Sequence, residues 1–86
     1  MIIFDDIGHM VSTESSEELH LFARKLGLKS KWYQNPSRGS KKQQQAHSEY
    51  LCHYDLTTQS SMNRAEALGA LRVNHRDIIE RAWWHK

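Results

Sequence analysis

Residues 15–29, SSEELHLFARKLGLK, constrain this chain more than any other stretch. Leu19, Phe22, Ala23 and Leu26 recur at i, i+3, i+4 and i+7, which places them on one stripe of an α-helix. Ser15 with Glu18 three residues on has the pattern of a capping box, and Gly27 supplies the left-handed stop. A one-sided helix has to bury its stripe against something. Ile2 to Phe4 is a continuous apolar run, the mark of a short strand covered on both faces, and it ends in Asp5 and Asp6 with Gly8 in the turn beyond. KWYQ (31–34), YLCHYDL (50–56) and ALRV (70–73) also read as strands. SSMNRAEALG (60–69) reads as a short helix with Ser60 as cap and Gly69 as stop. NHRDIIERAWW (74–84) reads as a final helix, capped by Asn74, with Ile78, Ile79, Ala82 and Trp83 on its core face. The order β-α-β-loop-β-α-β-α predicts an α/β fold: a small single-layer sheet of three to four short strands packed with about three helices.

The 86 residues make one domain, 1–86. A chain of this size buries only about 60% of its unfolded surface. Three tryptophans and two phenylalanines help, since each large ring buries on the order of 150–250 Å². Self-association would add more, and AWW is where a homodimer contact is expected. Residues 35–49 hold the only proline, with serines, a glycine and basic residues and no apolar periodicity, so a flexible loop is expected there.

Composition excludes several classes. Twelve Lys and Arg against ten Asp and Glu give a net charge of +2, too little to indicate nucleic-acid binding by bulk electrostatics. The single cysteine, Cys52, excludes an intrachain disulfide and a paired-cysteine metal knuckle. No run approaches the ~18 apolar residues of a membrane span, and two acids by residue 6 are unlike a signal peptide. The expectation is a soluble cytoplasmic protein with no membrane partner.

Six histidines are many for this length. Within LCHYDL, His53 and Asp55 are two apart and share one face of a strand, with Tyr54 on the other. If that face meets the end of the first strand and the shoulder of the first helix, Asp5 or Asp6, His20, His53 and Asp55 converge. Such groups, once buried, must pair with each other, a ligand or a metal.

GHM, EELHLFARKLGLKSKWYQ, HYDLT and R-A-x-x-L-G-A-x-x-V in combination resemble the domain of unknown function family 4031, small bacterial and phage proteins. The resemblance covers most of the chain and implies no established activity. Its motif positions fall on Asp5, Asp6, His9, His20, Trp32, Gln34, His53, Tyr54, Asp55 and Arg64. The His9-to-His20 spacing is one residue longer than the family's pattern, and the 35–49 loop is also longer.

Three functional readings follow. In the first, His9, His20, Trp32, Gln34, His53, Asp55 and Arg64 bind an anionic, nucleotide-like ligand. The histidines and Arg64 supply donors, Trp32 or Tyr33 stacks on a base and Gln34 reads its edge. A phage protein of this kind could sequester a nucleotide signal or counter a host defence. In the second, the chain is a metal-dependent phosphoesterase or nuclease. Histidines with carboxylates suit Zn²⁺, Mn²⁺ or Fe²⁺, but HExxH and HxH spacings are absent, so no metal-ligand set, cofactor or catalytic residue is assigned. In the third, His53 and Asp55 are an internal pair, and the chain acts through Trp83 and Trp84 as an interaction module. His47, His75 and His85 are expected at the surface, and Cys52 in the core.

Overall fold

The computed structural model describes residues 1–34 and 52–85, apart from the side chain of His85. The 35–49 loop and His47 lie outside the described residues. Four strands form one mixed sheet: β1 (Ile2–Phe4), β2 (His9–Ser12), β3 (Tyr54–Asp55) and β4 (Leu71–Arg72), in the order β3-β2-β1-β4. Among the described residues three helices accompany it: α1 (Ser16–Leu26), α2 (Gln59–Ala67) and α3 (His75–Arg81). Single 3₁₀ turns cover Ser30–Trp32 and Trp83–His85. The fold is α/β, as the alternation of patterns predicts.

β1 is central. It pairs antiparallel with β2 through Ile3↔Val11 and parallel with β4 through Ile3↔Leu71. Ile2, Ile3 and Phe4 are all buried, which is why the run is continuous rather than alternating. β3 adds antiparallel to the far side of β2, with His9 opposite Asp55 and Met10 opposite Tyr54. Because successive strand residues face opposite ways, His9, Val11 and Asp55 share one sheet face, and Met10, Ser12 and Tyr54 the other. α1 covers the second face, where its Glu18 takes a 2.6 Å hydrogen bond from Ser12 and its His20 meets Tyr54. α3 packs on the first face, and its Ile78 and Ile79 line a pocket with His9 and Val11.

α1 has the expected cap, stripe and stop, but the Glu18 carboxylate takes the Ser12 hydroxyl and the N-terminal ammonium rather than closing a capping box. Ser15 caps it through the Glu18 N–H, and Gly27 ends it in the left-handed region at φ 84°. Leu19, Ala23 and Leu26 are buried, and Phe22 is half-buried against the core. Four expectations need correction. HMVS is a strand, missed because it follows a tight turn and carries only two apolar residues. KWYQ is not a strand: Lys31 and Trp32 lie in the Ser30–Trp32 3₁₀ turn, Tyr33 is extended, and Gln34 makes an isolated bridge to His53. α2 is capped by Thr58, whose side chain accepts from Ser61, rather than by Ser60. α3 ends at Arg81, because Ala82 is extended (ψ 149°), and the tryptophans then turn back onto the core. Trp83 and Trp84 are 8% and 7% exposed, and the Trp84 indole N–H donates to the Cys52 carbonyl at 2.9 Å. The pair closes the core of this chain. Cys52 is buried, as expected.

Candidate metal centre

The site starts in the turn between β1 and β2. Gly8 sits at φ 107°, and a Cβ there would lie 2.1 Å from the Leu56 carbonyl oxygen, so only glycine fits. The Gly8 carbonyl accepts from Leu56 N–H at 2.7 Å, which ties the turn to the end of β3. Asp5, 1% exposed, organises the turn with one carboxylate oxygen. Oδ1 accepts from the N–H groups of Ile7, Gly8 and His9 at 3.0, 2.8 and 2.9 Å. Oδ2 is left for two imidazoles: His9 Nδ1 at 2.8 Å and His75 Nδ1 at 2.9 Å.

Burial acts to raise the Asp5 pKa. The hydrogen bonds from His75, His9 and the His9 and Gly8 amides outweigh it and hold the carboxyl at about 2, against an ordinary 3.8. An ionised carboxylate only accepts, so both rings donate to it through Nδ1–H. The two Nδ1 nitrogens thus lie within hydrogen-bond distance of one shared oxygen, Asp5 Oδ2.

Two overlapping groups place donor atoms within 4.8 Å of one another: Asp5, His9 and His75, and His9, His53 and Asp55. His9 belongs to both. Its ring centroid is 5.2 Å from those of His53 and His75. His53 Nε2 lies 3.1 Å from Asp55 Oδ1. The three rings open onto a pocket of about 250 Å³ whose remaining walls are Val11, Ile78, Ile79 and Trp84. His75 is 55% exposed, so the centre has a buried carboxylate behind it and open access in front.

The residues singled out in the sequence divide into three places. His9, His53 and Asp55 meet at this centre. Trp32 and Gln34 lie in an adjoining groove that Asp55 also lines. His20 is on the opposite face of the sheet, because α1 covers that face. Its Nδ1 is 2.7 Å from the Tyr54 hydroxyl and its ring is 4.4 Å from that of Tyr33. Burial raises the Tyr54 pKa, so its hydroxyl keeps the proton. Arg64 is exposed on α2 and does not line the histidine pocket. Asp6 splits from Asp5 and pairs at the surface with Arg72 at 2.9 Å.

His75 joins the centre although its sequence context marks it only as a surface residue. The parallel pairing of β1 and β4 brings it there. Val73 N–H donates to the Phe4 carbonyl at 2.8 Å, so the chain leaves β4 beside Asp5 and starts α3 at that point. The usable signal was topological: in open α/β sheets, ligand groups gather beyond the carboxyl ends of parallel strands.

A small α/β protein with a histidine–carboxylate centre at the carboxyl ends of its two parallel strands is the class defined here. The family model "Protein of unknown function (DUF4031)" matches residues 5–84, and the chain belongs to that family. No curated protein and no solved structure matches it.

Proposed function

We propose that this chain is a metal-dependent phosphoesterase whose divalent ion is held by Asp5, His9 and His75. The observation that carries the reading is the convergence of Oδ2 and two Nδ1 atoms beside an open pocket. Two imidazoles and one carboxylate are a common donor set for Zn²⁺ in hydrolytic sites and for Fe²⁺, and they leave coordination positions for water and substrate. Bonds of about 2.0–2.1 Å at tetrahedral angles separate donor atoms by about 3.3 Å. The observed 2.8 and 2.9 Å separations need widen by only about half an ångström as an ion takes the place of two hydrogen-bonded protons.

Charge also favours a cation first. Asp5 is ionised and Asp55 stands beside His53, while Arg64, expected to meet a phosphate, is elsewhere. A bound ion would restore the attraction for an anionic substrate and acidify its own water. The pairing of His53 with Asp55, one ring away from His9, supports reading His53 as the general base.

The test is native mass spectrometry and hydrolysis of bis(p-nitrophenyl) phosphate with Zn²⁺, Mn²⁺ or Fe²⁺, with and without chelator. One ion per chain, and turnover that disappears with chelator and in His75→Ala, is expected. Binding of the ion without turnover of any phosphoester would leave a metal-binding protein and reject the enzyme. No ion bound in the wild type would reject both.

A further inference from the structure

We infer that the substrate is a nucleotide, its base seated on Trp32 in the groove beside the histidine centre. This rests on the proposed phosphate chemistry at Asp5, His9 and His75, and it names the part of the substrate that chemistry leaves undefined. The groove has a volume of about 310 Å³, and Lys31, Trp32, Gln34, Asp55, Thr57 and Ser61 are among its lining residues. It lies at the lower end of the range for small-molecule sites.

Its chemistry is that of base recognition. Trp32 is 46% exposed, an unusual position for the largest apolar ring when Trp83 and Trp84 are buried. A broad π surface open to solvent suits stacking on a base, which every base can satisfy. Around it stand groups that read an edge: the Gln34 amide both donates and accepts, the Asp55 carboxylate accepts, and the Thr57 and Ser61 hydroxyls do either. Lys29 holds its ammonium 5.6 Å from the Trp32 ring centroid, and Lys31 lines the groove, so positive charge accompanies the stacking surface.

The groove and the centre are joined by named contacts. Gln34 and His53 exchange backbone hydrogen bonds of 2.8 and 3.1 Å. Asp55 lines the groove while its carboxylate meets His53, whose ring opens onto the histidine pocket. A ligand with a flat heterocycle at one end and a phosphate at the other would meet both sites, which share the Asp55–His53 contact.

The experiment is calorimetric titration of the full chain with the four ribonucleoside 5′-monophosphates, their nucleosides and ribose 5-phosphate, with Zn²⁺ or with chelator. Wild type, Trp32→Ala, Trp32→Phe and His75→Ala are compared. At least one nucleotide should bind more tightly than ribose 5-phosphate. Trp32→Ala should weaken that nucleotide about 5- to 150-fold, while Trp32→Phe keeps most of the affinity. Its nucleoside should bind more weakly than the nucleotide but depend on Trp32 equally, with or without metal. If ribose 5-phosphate binds as tightly as every nucleotide, or Trp32→Ala changes nothing, the base site is wrong, whatever the metal does. If a nucleoside binds through Trp32 but no metal binds and His75→Ala has no effect, the base site stands and the metal reading falls.

Discussion

At the residue scale, Asp5 divides its work between two oxygens, and that division makes two predictions. Oδ1 holds the turn and Oδ2 faces the histidines. Because the folded pKa is depressed from 3.8 to about 2, ionised Asp5 stabilises the fold above the unfolded value, and the contribution is lost as pH falls through about 2. The shift corresponds to about 2 kcal/mol. Urea unfolding in chelator should find Asp5→Asn less stable than wild type by about that amount at pH 7, with the gap closing between pH 4 and 2. A gap that stays constant across that range would show that the carboxylate charge is not what the turn needs. Gly8→Ala combines a left-handed backbone with a clash on Leu56, so it should cost upwards of about 1–3 kcal/mol. Unchanged unfolding in that variant would mean the turn can relax away from Leu56. Of these residues, Asp5 was legible only as half of an Asp-Asp pair. Nothing local separates a buried turn-forming aspartate from Asp6, which ends on Arg72 at the surface.

At the element scale, what could be read from the sequence was what neighbours in sequence decide. α1 carries its whole specification within residues 15–27, and the structure reproduces its cap, stripe and stop. Ser15→Ala should therefore lower stability by about 1 kcal/mol, measured by thermal or urea unfolding, with no loss of metal binding. The i, i+2 geometry of His53 and Asp55 was legible for the same reason, and so was the opposite direction of Tyr54. What failed depended on partners far along the chain. HMVS becomes a strand because β1 and β3 flank it, Gln34 of KWYQ meets His53 across the chain, and His75 reaches Asp5, 70 residues away, through the pairing of β1 with β4. Helix periodicity gives the face of a helix but not the face of the sheet it covers, so it does not tell that His20 meets Tyr54 rather than His53. The terminal tryptophans show the same limit. Their apolarity suggested a surface for association, but an extended Ala82 folds them onto Cys52. Trp84→Ala should cost about 3–5 kcal/mol as a core deletion, so a loss of activity in that variant reports unfolding before it reports a lost partner.

At the scale of the whole molecule, the centre joins three parts of the sheet that are remote in sequence. Asp5 follows β1 and His9 opens β2, His53 and Asp55 come from the β3 edge, and His75 from the start of α3 after β4. A metal ion at Asp5, His9 and His75 would therefore cross-link the two ends of the chain, and an ion that binds only the folded state raises its stability through mass action. At a free metal concentration 100 times its dissociation constant the gain is about 2.7 kcal/mol. For a domain of this size each kcal/mol moves the midpoint by about 4–8 °C, so saturating Zn²⁺ or Mn²⁺ should raise Tm by roughly 10–20 °C. Chelator should reverse the rise. His75→Ala should abolish it, and should also lower the metal-free Tm, since the variant loses the 2.9 Å hydrogen bond that helps keep buried Asp5 ionised. The rise should also shrink on acidification, because the ion competes with protons for the same imidazole nitrogens. A Tm that ignores metal in the wild type, or that rises equally in His75→Ala, would place the ion elsewhere and leave Asp5, His9 and His75 as a purely structural clasp.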